Sequence, residues 1–276
     1  MITARRSILT IACSLAALVG GGAASALGAS VAPTQQVPVP AGACLHPLRP
    51  ETAPAVSYRY ASRTNIWRVR PAFTTLKTTG LPGAGKVAGS ITSTTVHTGR
   101  AASYLVLDAR QVGAKCYLLV RLPAVGTTTN ARRGWVDRDL VLATRVSWQV
   151  EVDLSDRMVR LYKGRKLVLA KPVVIGQAAF PTPLAPASAP FAMYDAVAGK
   201  ATDFTGTWEL ATTAHNEVDS ALGRVGLHGR GGASLNDPLG SASSHGCVRA
   251  DNATVNAVVK AIGIDNLFGV PFLVTP

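Results

Sequence analysis

The amino-acid sequence predicts a mainly β protein of two successive domains, with one clear helix near the C-terminus. Its 276 residues suffice for two ordinary domains, and a hydrophobic content of 47% excludes a chain that is disordered throughout. Aromatic residues make up only 6%, whereas glycine and proline are frequent. This composition is typical of short strands joined by many turns.

The N-terminus has the form of a secretory signal peptide over residues 1–26. Arg5 and Arg6 precede an apolar stretch from Ile8 to about Gly22, and Ala24-Ser25-Ala26 has the A-x-A form of a cleavage site. An uncleaved anchor is the alternative, although the stretch is shorter than the ~20 apolar residues that span a bilayer. We therefore expect an exported protein, in which the Pro-rich residues 27–43 form a flexible tether.

The chain carries a formal net charge of +13, which favours an anionic partner. An exported chain rarely meets nucleic acid, so we expect none as a partner. Anionic cell-wall polymers, phospholipid headgroups and peptide carboxylates are available outside the cell. Because Lys and Arg are spread along the chain, simple solubility of a basic secreted protein explains the charge equally well.

Residues 44–143 predict a β domain. Its clearest strands are Ile66-Trp67-Arg68-Val69-Arg70, Tyr104-Leu105-Val106-Leu107, Tyr117-Leu118-Leu119-Val120 and Gly134-Trp135-Val136. The first and last of these runs resemble the opening and closing strands of bacterial SH3-like barrels. The resemblance implies an SH3-like small β-barrel.

A second β-rich domain is predicted over residues 146–276. Trp148, Val150, Val152 and Leu154 alternate with polar residues, and Val159 to Tyr162 returns as the second strand of a hairpin. Further strands are expected at Leu167-Val168-Leu169, Val173-Val174-Ile175-Gly176 and Pro271 to Val274.

One helix is predicted after residue 250. Asp251 or Asn252 is suited to cap its N-terminus, and Gly263 to end it. The apolar residues between them follow the helical spacing i, i+3, i+4 and i+7, namely Val255, Val258, Val259 and Ile262.

Three cysteines remain once the signal peptide is removed: Cys44, Cys116 and Cys247. Export permits disulfides, and an odd number predicts one structural bridge and one reactive thiol. Cys247 lies in the motif described next, so we expect the bridge between Cys44 and Cys116. Two separate buried thiols are the alternative.

Two short motifs place one thiol and two imidazoles close together in the sequence. They are Leu227-His228-Gly229-Arg230 and Ser244-His245-Gly246-Cys247-Val248-Arg249. A cysteine needs a base to become a thiolate near neutral pH, and histidine can take that proton and return it. A buried structural cysteine beside two surface histidines is the simpler alternative.

The two motifs resemble the signature of the L,D-transpeptidase catalytic domain, also called the YkuD domain. The resemblance extends to Thr213-Ala214-His215 before them and to Ala250-Asp251-Asn252 after them, and includes the apolar hairpin that leads to Val173-Val174-Ile175-Gly176. It covers residues 146–276 and implies a β-sandwich-like fold. After Gly176 the sequence departs from the family, because Phe180-Pro181-Thr182-Pro183 replaces a Thr-Pro-Thr-Gly-like turn.

The resemblance implies a role for each residue of the motifs. Cys247 is the nucleophile, His228 is the general acid and base with the Gly229 carbonyl orienting its ring, and His245 shapes the site. From the residues alone, His245 is the alternative base, because on a strand it would point to the same face as Cys247. Ser244 and Gly246 belong to the loop whose backbone amides face the oxyanion. Arg249 is expected to bind a carboxylate of the substrate.

The reaction that the resemblance implies is acyl transfer in peptidoglycan. Cys247 accepts a tetrapeptide stem with release of D-alanine and passes the acyl group to a diaminopimelate amine. No cofactor is expected, and carbapenem-type β-lactams are expected as covalent inhibitors. The alternatives are an L,D-carboxypeptidase, an exchange enzyme for D-amino acids, a wall-binding protein with a degenerate catalytic domain, and a zinc site of His228, His245 and Cys247.

Overall fold

The structure is a computed structural model, and it describes residues 65–113, 115–125, 130, 132–219, 221 and 223–276. The predicted signal peptide, the tether and Cys44 lie outside these residues. All of the described residues belong to one compact unit.

A seven-stranded sheet is formed by the first half of the described chain. Its strands are β1 (Ile66–Pro71), β2 (Thr75–Leu81), β3 (Ala84–Thr92), β4 (Tyr104–Val112), β5 (Lys115–Arg121), β6 (Arg133–Asp137) and β7 (Val141–Val146). They lie in the order β3, β2, β6, β5, β4, β1, β7, and every pairing is antiparallel. The four strands predicted here are confirmed as β1, β4, β5 and β6, whereas the SH3-like barrel stays a prediction.

The second half of the chain forms an eight-stranded sheet and a two-stranded one. The strands are β8 (Trp148–Asp153), β9 (Met158–Lys163), β10 (Lys166–Pro172), β11 (Ile175–Gly176), β12 (Phe191–Ala198), β13 (Trp208–His215), β14 (Arg224–His228), β15 (Ala242–Ser244), β16 (Val248–Arg249) and β17 (Pro271–Thr275). The larger sheet has the order β10, β9, β8, β17, β12, β13, β14, β16, and β11 pairs in parallel with β15. The predicted β8–β9 hairpin is confirmed.

The predicted strand from Val173 to Gly176 is shorter in the structure. Only Ile175 and Gly176 form β11, while Val174 makes an isolated bridge to Arg249. Backbone hydrogen bonds run between Val174 and Arg249 in both directions, at 2.8 and 2.9 Å. These bonds tie the segment to the end of β16 and interrupt a continuous strand.

The predicted helix α1 spans Asn252–Ile262. Asp251 is its N-cap, and its side chain accepts a hydrogen bond from the backbone N of Thr254 at 2.6 Å. Gly263 ends the helix with a φ of 82°, a value that favours glycine. The predicted apolar face is buried.

Both sheets contribute to one hydrophobic core. Residues of the first sheet, among them Ile66, Leu105 and Trp135, pack in the same cluster as Phe191 and Phe272 of the second. The two sheets therefore bury their apolar surface together, and each depends on the other for part of its core.

Buried arginines of the first sheet bond to backbone carbonyls of the second half of the chain. Arg68 donates from Nη1 to the carbonyl oxygens of Asn266 at 2.9 Å and Phe268 at 3.0 Å. Arg121 donates from Nε to the carbonyl oxygen of Pro190 at 2.9 Å. Burial lowers the pKa of Arg121 to about 10, so it stays charged at neutral pH. These hydrogen bonds connect the first sheet to the second half of the chain and help to hold the two in one orientation.

Within the part of the chain that the structure describes, no helix has the length and apolar character needed to cross a membrane.

Candidate active site

Three adjacent strands of the larger sheet bring the two sequence motifs together. His228, the last residue of β14, lies opposite Arg249 of β16 and opposite Glu209 of β13. Residues opposite each other on neighbouring strands point to the same face. Glu209, His228 and Arg249 therefore form a row, which we call the site row. Cys247 lies two residues before Arg249 and directly precedes β16.

Cys247 carries a free thiol that is partly exposed. Its Sγ lies 3.9 Å from the carbonyl oxygen of Arg224. Burial raises the pKa of the thiol, and the negative charge of Glu209 raises it further, while the backbone of Gly226 and the charge of Arg249 act in the opposite direction. The thiol is therefore protonated in the resting protein and needs a base to ionise.

His228 is the residue that the sequence analysis expects to act as that base. The residue is only 2% exposed, and its Nδ1 lies 2.7 Å from the carbonyl oxygen of Gly229. Because a carbonyl only accepts, Nδ1 carries the proton in the neutral ring and Nε2 is left as an acceptor. Burial is the main cause that lowers the pKa of His228 to about 4, and the charge of Arg249 also lowers this pKa. The hydrogen bond to Gly229 acts in the opposite direction. The ring is neutral at physiological pH.

Asn252, the first residue of α1, holds the turn that follows His228. Its Oδ1 accepts from the backbone N of Arg230 at 3.2 Å and of Thr207 at 3.0 Å, and its Nδ2 donates to the carbonyl oxygen of Arg230 at 2.9 Å. A Cβ at Gly229 would collide with that Oδ1. Because residue 229 is glycine, Asn252 can lie close to the backbone of this turn. The carbonyl group of Gly229 in the same turn orients the ring of His228.

The loop before Cys247 is shaped by Ser244 and Gly246. Ser244 Oγ donates to the carbonyl oxygen of Cys247 at 2.6 Å and accepts from the backbone N of Gly246 at 3.2 Å. Gly246 has a φ of 105°, in the region that favours glycine. Because Ser244 occupies the Gly246 amide in the free protein, the amides of His245 and Cys247 are the remaining candidates for an oxyanion site.

Asn216 fixes the other side of the same loop. It is 1% exposed, and its Nδ2 donates to the carbonyl oxygen of His245 at 2.8 Å. Its Oδ1 accepts from the backbone N of Val218 and Asp219 at 2.9 and 2.7 Å. Asn216 follows β13 directly, so it connects the end of that strand to the loop that carries Cys247.

His245 is exposed, unlike His228. Its ring centroid lies 4.9 Å from that of Phe180, with the planes at 47°. Phe180 belongs to the segment in which the sequence departs from the family pattern. That segment supplies an aromatic contact to His245, an arrangement that suits a residue shaping the cleft.

Arg249 already has an acidic partner within the protein. Its Nη1 bonds to Asp237 Oδ2, and its guanidinium lies 4.8 Å from the ring centroid of Phe204. The Nε atom is buried with no hydrogen-bond partner among the described residues. A substrate carboxylate would therefore meet a guanidinium whose charge is shared with Asp237.

Four residues of this site escaped the sequence analysis: Phe204, Glu209, Asn216 and Asp237. Phe204 covers the row, with its ring centroid 6.1 Å from that of His228. These residues lie in four different segments, and the pairing of β13 with β14 is what aligns Glu209 with His228. Asn216 alone had a local signal, because it follows the Thr213-Ala214-His215 flank directly.

Two further predictions concern metal and disulfide chemistry. Among the residues that the structure describes, no group of three His, Cys, Asp or Glu side chains converges to hold a metal ion. The bridge from Cys116 to Cys44 stays a prediction, because Cys44 lies outside the described residues.

Known proteins resemble the second half of the chain. Residues 147–266 match the model of the YkuD family, the L,D-transpeptidase catalytic domain. No curated protein matches. A mutant L,D-transpeptidase from Enterococcus faecium is 19% identical over 47% of this chain and 50% of its own, with a TM-score of 0.33. The match thus spans half of that solved chain.

Two other solved structures are similar. The catalytic domain of the E. faecium L,D-transpeptidase acylated by ertapenem is 20% identical over 48% of this chain and 99% of its own, with a TM-score of 0.34. L,D-transpeptidase 3 from Mycobacterium tuberculosis, in complex with a faropenem-derived adduct, is 11% identical over 59% of this chain and 91% of its own, with a TM-score of 0.38. Residues 147–266, somewhat less than half of the chain, thus match the L,D-transpeptidase (YkuD) catalytic domain.

Proposed function

We propose that the protein is a peptidoglycan L,D-transpeptidase that acts by cysteine acyl transfer. The observation that supports this most directly is the pairing of β14 with β16, which puts the base candidate His228 beside the strand that directly follows the free thiol of Cys247. A thiol beside a neutral, oriented imidazole in a matching catalytic domain is suited to nucleophilic catalysis.

Acylation begins from a neutral thiol and a neutral imidazole. His228 Nε2 takes the proton of Cys247 as the sulfur attacks the carbonyl carbon that precedes the terminal D-alanine of a tetrapeptide stem. The backbone amides of His245 and Cys247 bind the oxyanion. The imidazolium then gives its proton to the leaving amine, the C–N bond breaks, and D-alanine departs from the thioester.

The second half of the reaction transfers the acyl group to a diaminopimelate amine. Attack by this amine forms a cross-link and returns the thiol, whereas attack by water would make the protein an L,D-carboxypeptidase. The same thioester chemistry makes carbapenem-type β-lactams the proposed covalent inhibitors, because opening of the lactam ring by the thiolate leaves an acyl group on sulfur.

We further propose that the protein works in the cell envelope. The signal-peptide pattern of residues 1–26 and the net charge of +13 support export and attraction to anionic wall polymers. Its substrate, the stem peptide, is found in the same compartment.

Purified mature protein incubated with a disaccharide-tetrapeptide tests the proposal. Mass spectrometry should find free D-alanine and a cross-linked dimer, and the Cys247→Ala variant should produce neither. Tripeptide without dimer would identify an L,D-carboxypeptidase. Absence of D-alanine release from wild-type protein that binds intact sacculi would favour a wall-binding protein instead.

A further inference from the structure

Glu209 is a carboxylate of the site row that forms no hydrogen bond or ion pair with another side chain in the described part of the chain. It lies opposite His228 on β13, and its negative charge acts on Cys247. The residue is partly buried, and its backbone pairs with β12 and β14 while its carboxyl accepts no hydrogen bond from the described residues. Burial raises the pKa of the Glu209 carboxyl, and the charge of His97 opposes this.

An unpartnered carboxylate at this place has an electrostatic cost. Partial burial of a charged group without a compensating bond is unfavourable. Its negative charge also raises the pKa of the Cys247 thiol, which disfavours the thiolate needed for acylation. Acylation alone therefore gives no reason for a carboxylate beside the nucleophile.

The two arginines near the site are engaged elsewhere, and His97 acts on Glu209 through its charge without a hydrogen bond or ion pair to it. Arg249 is bonded to Asp237, and the guanidinium of Arg224 lies 5.0 Å from the ring centroid of Tyr194 and donates to the carbonyl oxygen of Thr212 at 3.3 Å. A positively charged group that arrives with a substrate would meet a vacant acceptor at Glu209.

We propose that Glu209 binds the ammonium group of the acyl acceptor and so favours transfer to an amine over hydrolysis. This inference rests on the proposed function, because it assumes a thioester at Cys247. His228 lies between Glu209 and Arg249 in the row, next to the strand end that carries Cys247. A bound amine is thus beside both the base and the thioester.

In transfer of the acyl group to the amine, the two protons lost by the ammonium can be taken by His228 and Glu209. The acceptor enters as R–NH₃⁺ and gives one proton to neutral His228 Nε2. Its nitrogen then attacks the thioester carbon, the C–N bond forms and the C–S bond breaks. The proton held by His228 passes to the sulfur of Cys247. The second proton lost by nitrogen leaves through the Glu209 carboxylate to solvent, so that one amide, one thiol and one proton are produced.

The test compares the fate of the acyl-enzyme in full mature wild-type protein and in Glu209→Gln. Disaccharide-tetrapeptide serves as donor and acceptor, and mass spectrometry measures the ratio of dimer to hydrolysed tripeptide as its concentration rises. We expect Glu209→Gln to lower this ratio about tenfold or more, the scale for losing a hydrogen bond to a charged group. Asp139→Asn, which removes an exposed carboxylate from the short turn between β6 and β7, should leave the ratio unchanged.

A second readout separates this role from damage to the fold. Loss of the Glu209 charge should speed alkylation of Cys247 by iodoacetamide at fixed pH, because the thiol pKa falls. A structural role predicts slower alkylation together with less acyl-enzyme. An unchanged ratio of dimer to tripeptide in a Glu209→Gln protein that still forms the carbapenem adduct would overturn the inference and leave the proposed function intact.

Wild-type protein supplies an independent test that needs no variant. A stem peptide whose side-chain amine is trimethylated keeps its positive charge but cannot attack, so it should inhibit dimer formation. The acetylated peptide, which is neutral, should inhibit much less. Equal inhibition by the two peptides would contradict binding of the ammonium by Glu209. Failure of the proposed function itself would appear earlier, as absence of any adduct at Cys247.

Discussion

His228 Nδ1 and the carbonyl oxygen of Gly229 lie 2.7 Å apart, a hydrogen bond between neighbours in sequence that fixes the tautomer of the ring. Because this bond occupies Nδ1, only Nε2 can accept a proton. Burial keeps the ring neutral at physiological pH. In the proposed mechanism, His228 can thus accept a proton without first losing one.

Loss of this base should slow acylation. His228→Ala should reduce the rate of carbapenem acylation by on the order of 10²-fold or more, the usual scale for a general base. His245→Ala is the matched control, since His245 is exposed and contacts Phe180, and it should have a smaller effect. Adduct formation followed by mass spectrometry gives both rates, and equal rates in the two variants would argue against His228 as the base.

The buried imidazole also makes stability depend on pH. The pKa of His228 is about 4 in the folded protein and 6.5 when unperturbed. The unfolded chain therefore binds the proton more readily between these values, and stability falls as pH drops from about 6.5 to about 4. The loss is on the order of 3 kcal/mol. Urea unfolding across this range should show a weaker pH dependence for His228→Gln, and identical slopes would contradict the burial of a neutral ring.

Gly246 should tolerate no side chain. Its φ of 105° disfavours other residues, and a Cβ would lie 3.1 Å from Asn216 Nδ2. Gly246→Ala should therefore cost about 1 kcal/mol or more in stability and slow acylation, because the Cys247 loop must shift. Gly113→Ala has a similar strain at φ 60° with open space around it. It should lose stability but keep the acylation rate, and a normal rate in Gly246→Ala would contradict the account.

The shared core predicts that the second sheet does not fold well alone. A chain that starts near Val146 would lose Ile66, Leu105 and Trp135 from the common cluster, and would leave the carbonyl oxygens bound by Arg68 and Arg121 without those donors. We expect it to aggregate or to unfold without a cooperative transition by circular dichroism. A cooperative transition at the melting temperature of the longer chain would show that the first sheet adds no stability.

The sequence predicted those parts of the fold and site whose signals are local. Asp251 and Gly263 mark the ends of α1, and the alternation from Trp148 to Leu154 marks β8, because caps and periodicity act over a few residues. β2 and β3 escaped prediction, since Thr75–Leu81 and Ala84–Thr92 are largely exposed and rich in Gly, Thr and Lys. Their strand conformation depends on pairing with each other.

The site residues also fall into those that have a local sequence signal and those that do not. Cys247 and His228 stand in recognisable motifs, whereas Glu209 and Asp237 are ordinary acidic residues in sequence. Glu209 becomes part of the site through the β13–β14 register, and Asp237 through its bond to Arg249. Neither relationship is encoded within a short stretch of chain.

The mass of the acyl-enzyme tests the central claim most directly. Wild-type protein mixed with disaccharide-tetrapeptide should gain the mass of the donor less D-alanine, and peptide mapping should locate that mass on Cys247. The Cys247→Ala variant should gain none. A wild-type adduct located on another residue, or D-alanine release that survives Cys247→Ala, would contradict cysteine acyl transfer.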